Sequence, residues 1–131
     1  MTIKRSNPQS LWQPPHYTQI VGVTDRTVYF CAGQVAYDTE GQLVGGADFR
    51  AQALQVFTNI QNILDELNAE WSDVIKITTY IVNYNAGHRS ALMDIVGQFV
   101  GDAPRPASTL LGVQSLALPE ILIEVDVIVA M

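Results

Sequence analysis

The stretch Asp48-Phe-Arg-Ala-Gln-Ala-Leu-Gln-Val-Phe-Thr-Asn-Ile-Gln-Asn-Ile-Leu-Asp-Glu-Leu67 sets how the rest of the chain is read. Phe49, Ala53, Val56, Phe57, Ile60, Ile63, Leu64 and Leu67 recur at three- and four-residue steps, the period of a helix with one apolar stripe. Gln52, Gln55, Asn59, Asn62 and Glu66 fall on the opposite face, and Asp48 is placed to cap the first turn. Downstream, Val74 to Val82 alternates, with Ile75, Ile77 and Ile81 on one side and Lys76, Thr78 and Tyr80 on the other, as in a strand. A second helix is expected over Gly87 to Val100, with Leu92, Ile95, Val96 and Phe99 as its apolar stripe. Pro104-Arg-Pro106 stops it. Two strands close the chain, Ala107–Val113 and Leu122–Ala130, joined by a loop containing Pro119.

Upstream of the first helix, Thr27-Val-Tyr-Phe-Cys-Ala32 is β-branched and aromatic, and Tyr17 to Val23 is extended. Gly33, Asp38-Thr-Glu-Gly41 and Gly45-Gly46 are turn signals around a short strand piece. The first sixteen residues, with Pro8, Pro14 and Pro15, are expected to be irregular. The order β-β-(β)-α-β-α-β-β clusters strands around two helices, which points to an α+β fold rather than a doubly wound sheet.

Two helices cover one side of such a sheet. Ile123, Val125, Val127 and Val129 form a β-branched face that belongs beneath them, leaving Glu124, Asp126 and Ile128 on the other. Tyr29 with Cys31, and Lys76 with Thr78 and Tyr80, are expected on that same second face. It mixes aromatics, apolar groups and carboxylates, which suits an interface between copies of the chain. A one-sided antiparallel sheet wetted by water has the same pattern, and the two readings stay level at this point.

The chain has 131 residues, which fits one domain spanning residues 1–131. Hydrophobic residues make up 48% and charged residues 15%, enough apolar material for a packed core. Seven Lys plus Arg against thirteen Asp plus Glu give a formal charge of −6, with a pI near 4.6. That balance opposes nucleic-acid binding, which needs concentrated cations. No apolar run reaches the ~18 residues of a membrane span. The basic start is not followed by an apolar segment, so no signal peptide is expected. A single cysteine, Cys31, excludes an internal disulfide and fits a reducing, cytoplasmic setting.

Catalytic signatures are sparse. The sequence holds no G-x-G-x-x-G, P-loop, C-x-x-C or H-E-x-x-H motif. His16 and His88 lack ligands at metal spacing and read as a loop residue and a surface residue in the first turn of the second helix. Cys31 lies in an apolar strand without a neighbouring cation, so a buried structural thiol is expected. Ser108 has no nucleophile elbow around it. Glu124 and Asp126 share one strand face, where acid–base work and simple pairing with Lys76 or an Arg carry equal weight.

The segments Arg105-Pro-Ala-Ser-Thr-Leu-Leu-Gly-Val113 and Leu118-Pro-Glu-Ile-Leu-Ile-Glu-Val-Asp-Val-Ile-Val-Ala130 resemble the signature region of the RidA (YjgF) family, whose older label is endoribonuclease L-PSP. The likeness continues through Thr78-Thr-Tyr-Ile-Val82, Phe57-Thr-Asn-Ile60, Cys31-Ala-Gly-Gln34 and Pro15-His-Tyr-Thr-Gln19, and so covers nearly the whole chain. The resemblance implies a chorismate-mutase-like α+β fold and a homotrimer whose sheets form a central barrel. Small-molecule ligand clefts would lie between subunits, with no metal or organic cofactor. Well-studied members hydrolyse enamines and imines derived from amino acids to keto acids and ammonia. The trimer expectation favours the interface reading of the open sheet face.

In deaminating members an Arg at the start of the fifth strand forks onto the substrate carboxylate, a Glu on the last strand positions water, and a Tyr and a Gly complete the cleft. Carried over by the resemblance, the Tyr is Tyr17, the Gly is Gly33 and the Glu, the expected catalytic residue, is Glu124. The Arg position falls on Ser108, where members usually read Pro-Ala-Arg. Arg105, three residues earlier, is the nearest substitute, set in the preceding loop at the wrong strand parity. The expectation is a RidA-like trimer with a retained cleft and altered or lost imine hydrolysis. The alternatives are an active 2-iminobutanoate/2-iminopropanoate deaminase using Arg105 or another cation, and a translation-inhibiting ribonuclease. Acidity and the absence of a His/Lys pair oppose the last.

Overall fold

The computed structural model describes residues 3–131, and all statements below concern those residues. Strands β1 (Ile3–Ser6) and β2 (Ile20–Val23) pair with each other antiparallel. The main sheet has four strands in the order β3-β6-β4-β5, built from β3 (Val28–Phe30), β4 (Val74–Val82), β5 (Ala107–Val113) and β6 (Ile123–Ala130). Helix α1 (Phe49–Leu67) connects β3 to β4, and α2 (Ala86–Val100) connects β4 to its parallel neighbour β5. The last strand inserts antiparallel between β3 and β4. The α+β expectation is met, with the closing strands and both helices within a residue or so of where periodicity places them.

Both helices lie on one side. Val56, Phe57, Ile60 and Leu64 of α1 and Leu92 and Ile95 of α2 pack over Ile123, Val125, Val127 and Val129, all of them almost fully excluded from solvent. Phe57 stacks on Trp71 at 6.0 Å and meets Phe99 at 5.9 Å, while Trp71 Nε1 donates to Gln61 Oε1 at 2.8 Å. That bond satisfies the indole while its ring is buried. Asp48 accepts from Ala51 N as expected of an N-cap, and Asn68, in the left-handed region at φ 55°, closes the C-terminus of α1.

Four details depart from the sequence reading. The N-terminus is not irregular throughout, because β1 finds its partner in β2, a pairing across a loop that local pattern does not encode. No strand forms between Gly33 and Gly46; only the bridges Gln34–Val125 and Tyr37–Leu43 remain there. On β4 a bulge between Val74 and Lys76 makes two steps match one on β6. Val74 therefore enters the core while Ile75 is half-buried, and Ile77, Thr79 and Ile81 resume the inward face. Finally, Tyr29 pairs with Val129, so Tyr29 lies on the helix side of the sheet and not on the open side; Cys31, two residues on, packs against the same core.

Gln52 also reverses its expected role. It is fully buried, its Oε1 accepts from Leu122 N at 3.0 Å, and its Nε2 donates to Gly46 O at 2.6 Å and Glu120 O at 2.9 Å. One amide thus ties α1 to the turn before it and to the entry of β6. Asn59 does the same for the loop after β3, donating to Val35 O and Tyr37 O. Removing the amide leaves three backbone groups short of a partner, at roughly 1–3 kcal/mol for each that water does not reach. Gln52→Ala is expected to lower unfolding stability by about 3 kcal/mol, measured by urea titration, whereas Gln55→Ala on the half-exposed face should cost well under half of that.

Candidate cleft at the start of the fifth strand

The start of β5 is strapped to the N-terminal segment by backbone acceptors. Thr18 N donates to Pro106 O at 2.9 Å, and Thr18 Oγ1 donates to Arg105 O at 2.6 Å. Arg5 adds Nε to Arg105 O at 3.3 Å and Nη2 to Ser72 O at 2.6 Å. Burial pulls the Arg5 pKa down, with Asp73 acting against that shift and Arg26 adding to it. These bonds hold Tyr17 beside Ser108. Both line a cleft of about 280 Å³, together with Trp12 and His16 of the same loop, Arg89 and Met93 of α2, and Leu110 of β5. The Trp12 and Tyr17 rings meet edge to face at 6.2 Å.

Ser108 pairs with Ile77, which places it on the helix side of the outermost strand. A smaller cavity of about 70 Å³ continues behind it towards Trp71, Ile77 and Thr79, and Arg105 borders that cavity. The Arg105 guanidinium donates through Nη2 to Gly101 O at 3.2 Å. It therefore sits next to Ser108, engaged with the end of α2.

Glu124 and Gly33 form a second group. Gly33 lies between the Cys31–Val127 and Gln34–Val125 backbone bonds, where the chain gains one residue over β6. A Cβ at Gly33 would collide with Oε2 of Glu124 and stand 2.9 Å from its Cδ, so the missing side chain is what admits the carboxylate over this backbone. Glu124 pairs with Tyr80 on the open face of the sheet. Gly33 also borders a recess of about 360 Å³ with Gln34, Tyr37 and Asp38. Within one protomer Ser108 and Glu124 are on opposite faces, two strand spacings or about 10 Å apart across the sheet. The chain brings together Tyr17 with Ser108, and Gly33 with Glu124, but not the two pairs with each other.

The remaining candidates resolve simply. Lys76 Nζ donates to Thr109 Oγ1 at 2.7 Å, so the expected pairing of Lys76 with Glu124 or Asp126 is not made. The two carboxylates stay on the open face beside Lys76, Thr78 and Tyr80. His88 completes a capping box with Asn85 and stacks on Phe49 at 4.4 Å. Among the described residues no cluster of three or more His, Cys, Asp or Glu could hold a metal ion. Cys31 is half-buried rather than enclosed, bordering an apolar groove with Tyr29, Phe30 and Leu67, and desolvation raises its thiol pKa. Arg89 was not singled out by the sequence; it sits one turn before the apolar stripe of α2, and only the folded N-terminal loop turns that position into a cleft wall.

The family model described as endoribonuclease L-PSP matches residues 9–131. The chain belongs to the RidA/YjgF family. A RutC family protein of Synechocystis is 33% identical over 98 residues, covering 74% of this chain and 73% of its own. A protein of Dermatophagoides farinae named 2-iminobutanoate/2-iminopropanoate deaminase is 32% identical over 100 residues, covering 76% of this chain and 74% of its own. Among solved structures, the Rid-family protein YyfB of Yersinia pestis, described as of unknown function, superposes at a TM-score of 0.91 with 34% identity over 100% of both chains. The chorismate-mutase-like α+β architecture of the RidA family is therefore the fold of this chain.

Two outcomes follow from the site geometry. Gly33→Ala should force the Glu124 carboxylate off the Gly33 backbone, visible as a rotated Glu124 side chain in a crystal structure of the variant. Because the obstructing atoms are the end of a flexible side chain, stability should fall by no more than about 1 kcal/mol. The raised Cys31 pKa means less thiolate at any pH below it. Alkylation by iodoacetamide should accordingly show its pH midpoint above that of free cysteine; a midpoint at or below that of free cysteine would contradict the desolvated setting.

Proposed function

We propose that this RidA/YjgF protein works as a homotrimer of single-domain subunits, residues 1–131, with cofactor-independent small-molecule clefts between them that have diverged from amino-acid imine hydrolysis. The observation that carries the reading is Ser108 beside Tyr17 at the cleft, where the family resemblance leads one to expect a carboxylate-gripping Arg.

Trimer formation is supported by the open side of the sheet. Phe30 is 80% exposed there, and Leu111 (44%) lies on the same face. Apolar groups on both edge strands of this face, together with the Lys76–Thr109 bond, Glu124 and Asp126, suit burial against copies of the same chain. A neighbouring subunit also supplies a way for the Gly33–Glu124 pair to meet the Tyr17–Ser108 pair, which one chain holds on opposite faces.

In imine hydrolysis water adds to the imine carbon, the carbon–nitrogen bond then breaks, and ammonia leaves as the ketone forms. Glu124 is suited to hold and deprotonate that water, and the backbone at Gly33 fixes where the carboxylate sits. What the cleft lacks at Ser108 is a planar two-donor grip on a substrate carboxylate. A hydroxyl in place of that charge-assisted pair forfeits roughly 1.5–3 kcal/mol of binding, or one to two decades in affinity. It also loosens the alignment of imine carbon and water.

The test couples this protein to a threonine dehydratase and follows loss of the released imine. Native protein should accelerate hydrolysis at least tenfold less than an Arg-bearing relative, and Ser108→Arg should recover part of the difference. Equal acceleration by the native protein would establish the deaminase reading instead, as would a rate untouched by Ser108→Arg but abolished by Arg105→Ala. Sedimentation should give a particle of three chains.

A further inference from the structure

We infer that Arg89 is the anion anchor of the Tyr17–Ser108 cleft and that the cleft takes a small organic acid with a flat, apolar body. The inference rests on the reading of this cleft as the ligand site and assigns its ligand class. The chain has five arginines. Arg5 bonds Arg105 O and Ser72 O, Arg26 bonds Asp73 and Ala130 O, Arg50 bonds Asp94, and Arg105 bonds Gly101 O. Arg89 alone makes no side-chain hydrogen bond or ion pair among the described residues, and it borders the cleft.

Its neighbourhood selects the sign of the guest. A chain with thirteen side-chain carboxylates places none in the cleft lining, where Arg89 supplies the positive charge. A guanidinium with all its donors unspent and no carboxylate facing it favours a carboxylate, which it can hold through two parallel bonds. The rest of the lining selects the body. Trp12, 66% exposed, and Tyr17 stand edge to face, and Met93 and Leu110 complete the apolar lining. Such walls take a ring or a short planar chain, with the Ser108 hydroxyl as a polar marker at one end.

Anchoring from α2 instead of β5 changes where the acid group sits. Asn85 caps α2 through bonds to Gly87 N and His88 N, so Arg89 springs from a fixed helical turn and not from the strand bearing Ser108. A carboxylate held there is anchored from the helix and not from the strand, which shifts the remainder of the guest relative to β5.

The experiment titrates the native assembly by calorimetry with 3-phenylpropanoate and with 3-phenylpropanamide, a pair of matched shape differing in charge. The acid should bind at least tenfold tighter than the amide. Arg89→Gln should erase that difference, Arg89→Lys should retain part of it, and Arg105→Gln should leave it intact. Trp12→Ala should weaken both probes alike. Equal affinities, binding of neither probe, or a preference that survives Arg89→Gln would each overturn the inference. Sedimentation of the same sample separates it from the inter-subunit reading. A trimer that binds neither probe overturns the Arg89 assignment alone, whereas a monomer that prefers the acid through Arg89 supports the assignment and overturns the trimer.

Discussion

The insertion of β6 between β3 and β4 is the constraint on which the other features depend. Neither neighbour pairs with the other, so the sheet is continuous only once β6 is in place. Its alternation then assigns every residue of the neighbouring strands to a side. Val125 and Val127 close under the helices, and Glu124 and Asp126 are left facing away from them. Gln52 secures the entry of this strand by accepting from Leu122 N and donating to Glu120 O, which couples the register of β6 to the seating of α1. A one-residue slip of β6 would bury two carboxylates and expose a valine face, so the register is strongly specified. The position of Glu124 over Gly33 is a consequence of that specification and not of any local preference at Glu124.

The elements that could be read from the sequence are those whose pattern is local and repetitive. Helix α1 and strands β5 and β6 carry several turns or alternations each, and their bounds agree closely with the pattern. What could not be read depends on chain segments far apart. The β1–β2 pairing joins residues across a proline-rich loop, and the bulge at Ile75 is imposed by the partner strand, so neither has a signature in its own residues. Gln52 was assigned to solvent because an amide on the flank of an apolar stripe looks polar; the backbone groups that bury it belong to the turn at Gly46 and to the end of the chain. The side of Tyr29 is illegible for a similar reason, since three residues of strand give too little alternation to define a face without the partner's register.

The candidate site divides the same way. Tyr17, Gly33, Ser108 and Glu124 could be named because they sit in segments resembling a family signature, and the fold does pair them, Tyr17 with Ser108 and Gly33 with Glu124. Arg89 could not be named by that route. It lies outside the short segments that carry the resemblance, at an exposed helix position that solvates charge in most proteins, and it gains meaning only because Thr18 and Arg5 strap the N-terminal loop across the start of β5. The hydrogen bonds that build the cleft wall are made to backbone carbonyls, which any sequence provides, so the strap leaves little trace in residue identity.

The hydroxyl at Ser108 and the unengaged guanidinium at Arg89 bear on the same guest. A loss at the strand alone would leave a neutral pocket, and an acidic chain repels anions at long range. A cation on the helix would restore local attraction, from α2 and not from β5. Catalysis of water addition depends on the distance between the reacting carbon and the oxygen held by the base, with about an ångström of displacement enough to lose a hundredfold. Under the proposed reading, an anchor on α2 with Glu124 held in place by Gly33 would preserve the selection of an acid and remove the alignment needed to hydrolyse it. A small acid with a flat, apolar body, held by Arg89 among Trp12, Tyr17 and Met93, is the guest that this reading assigns to the cleft.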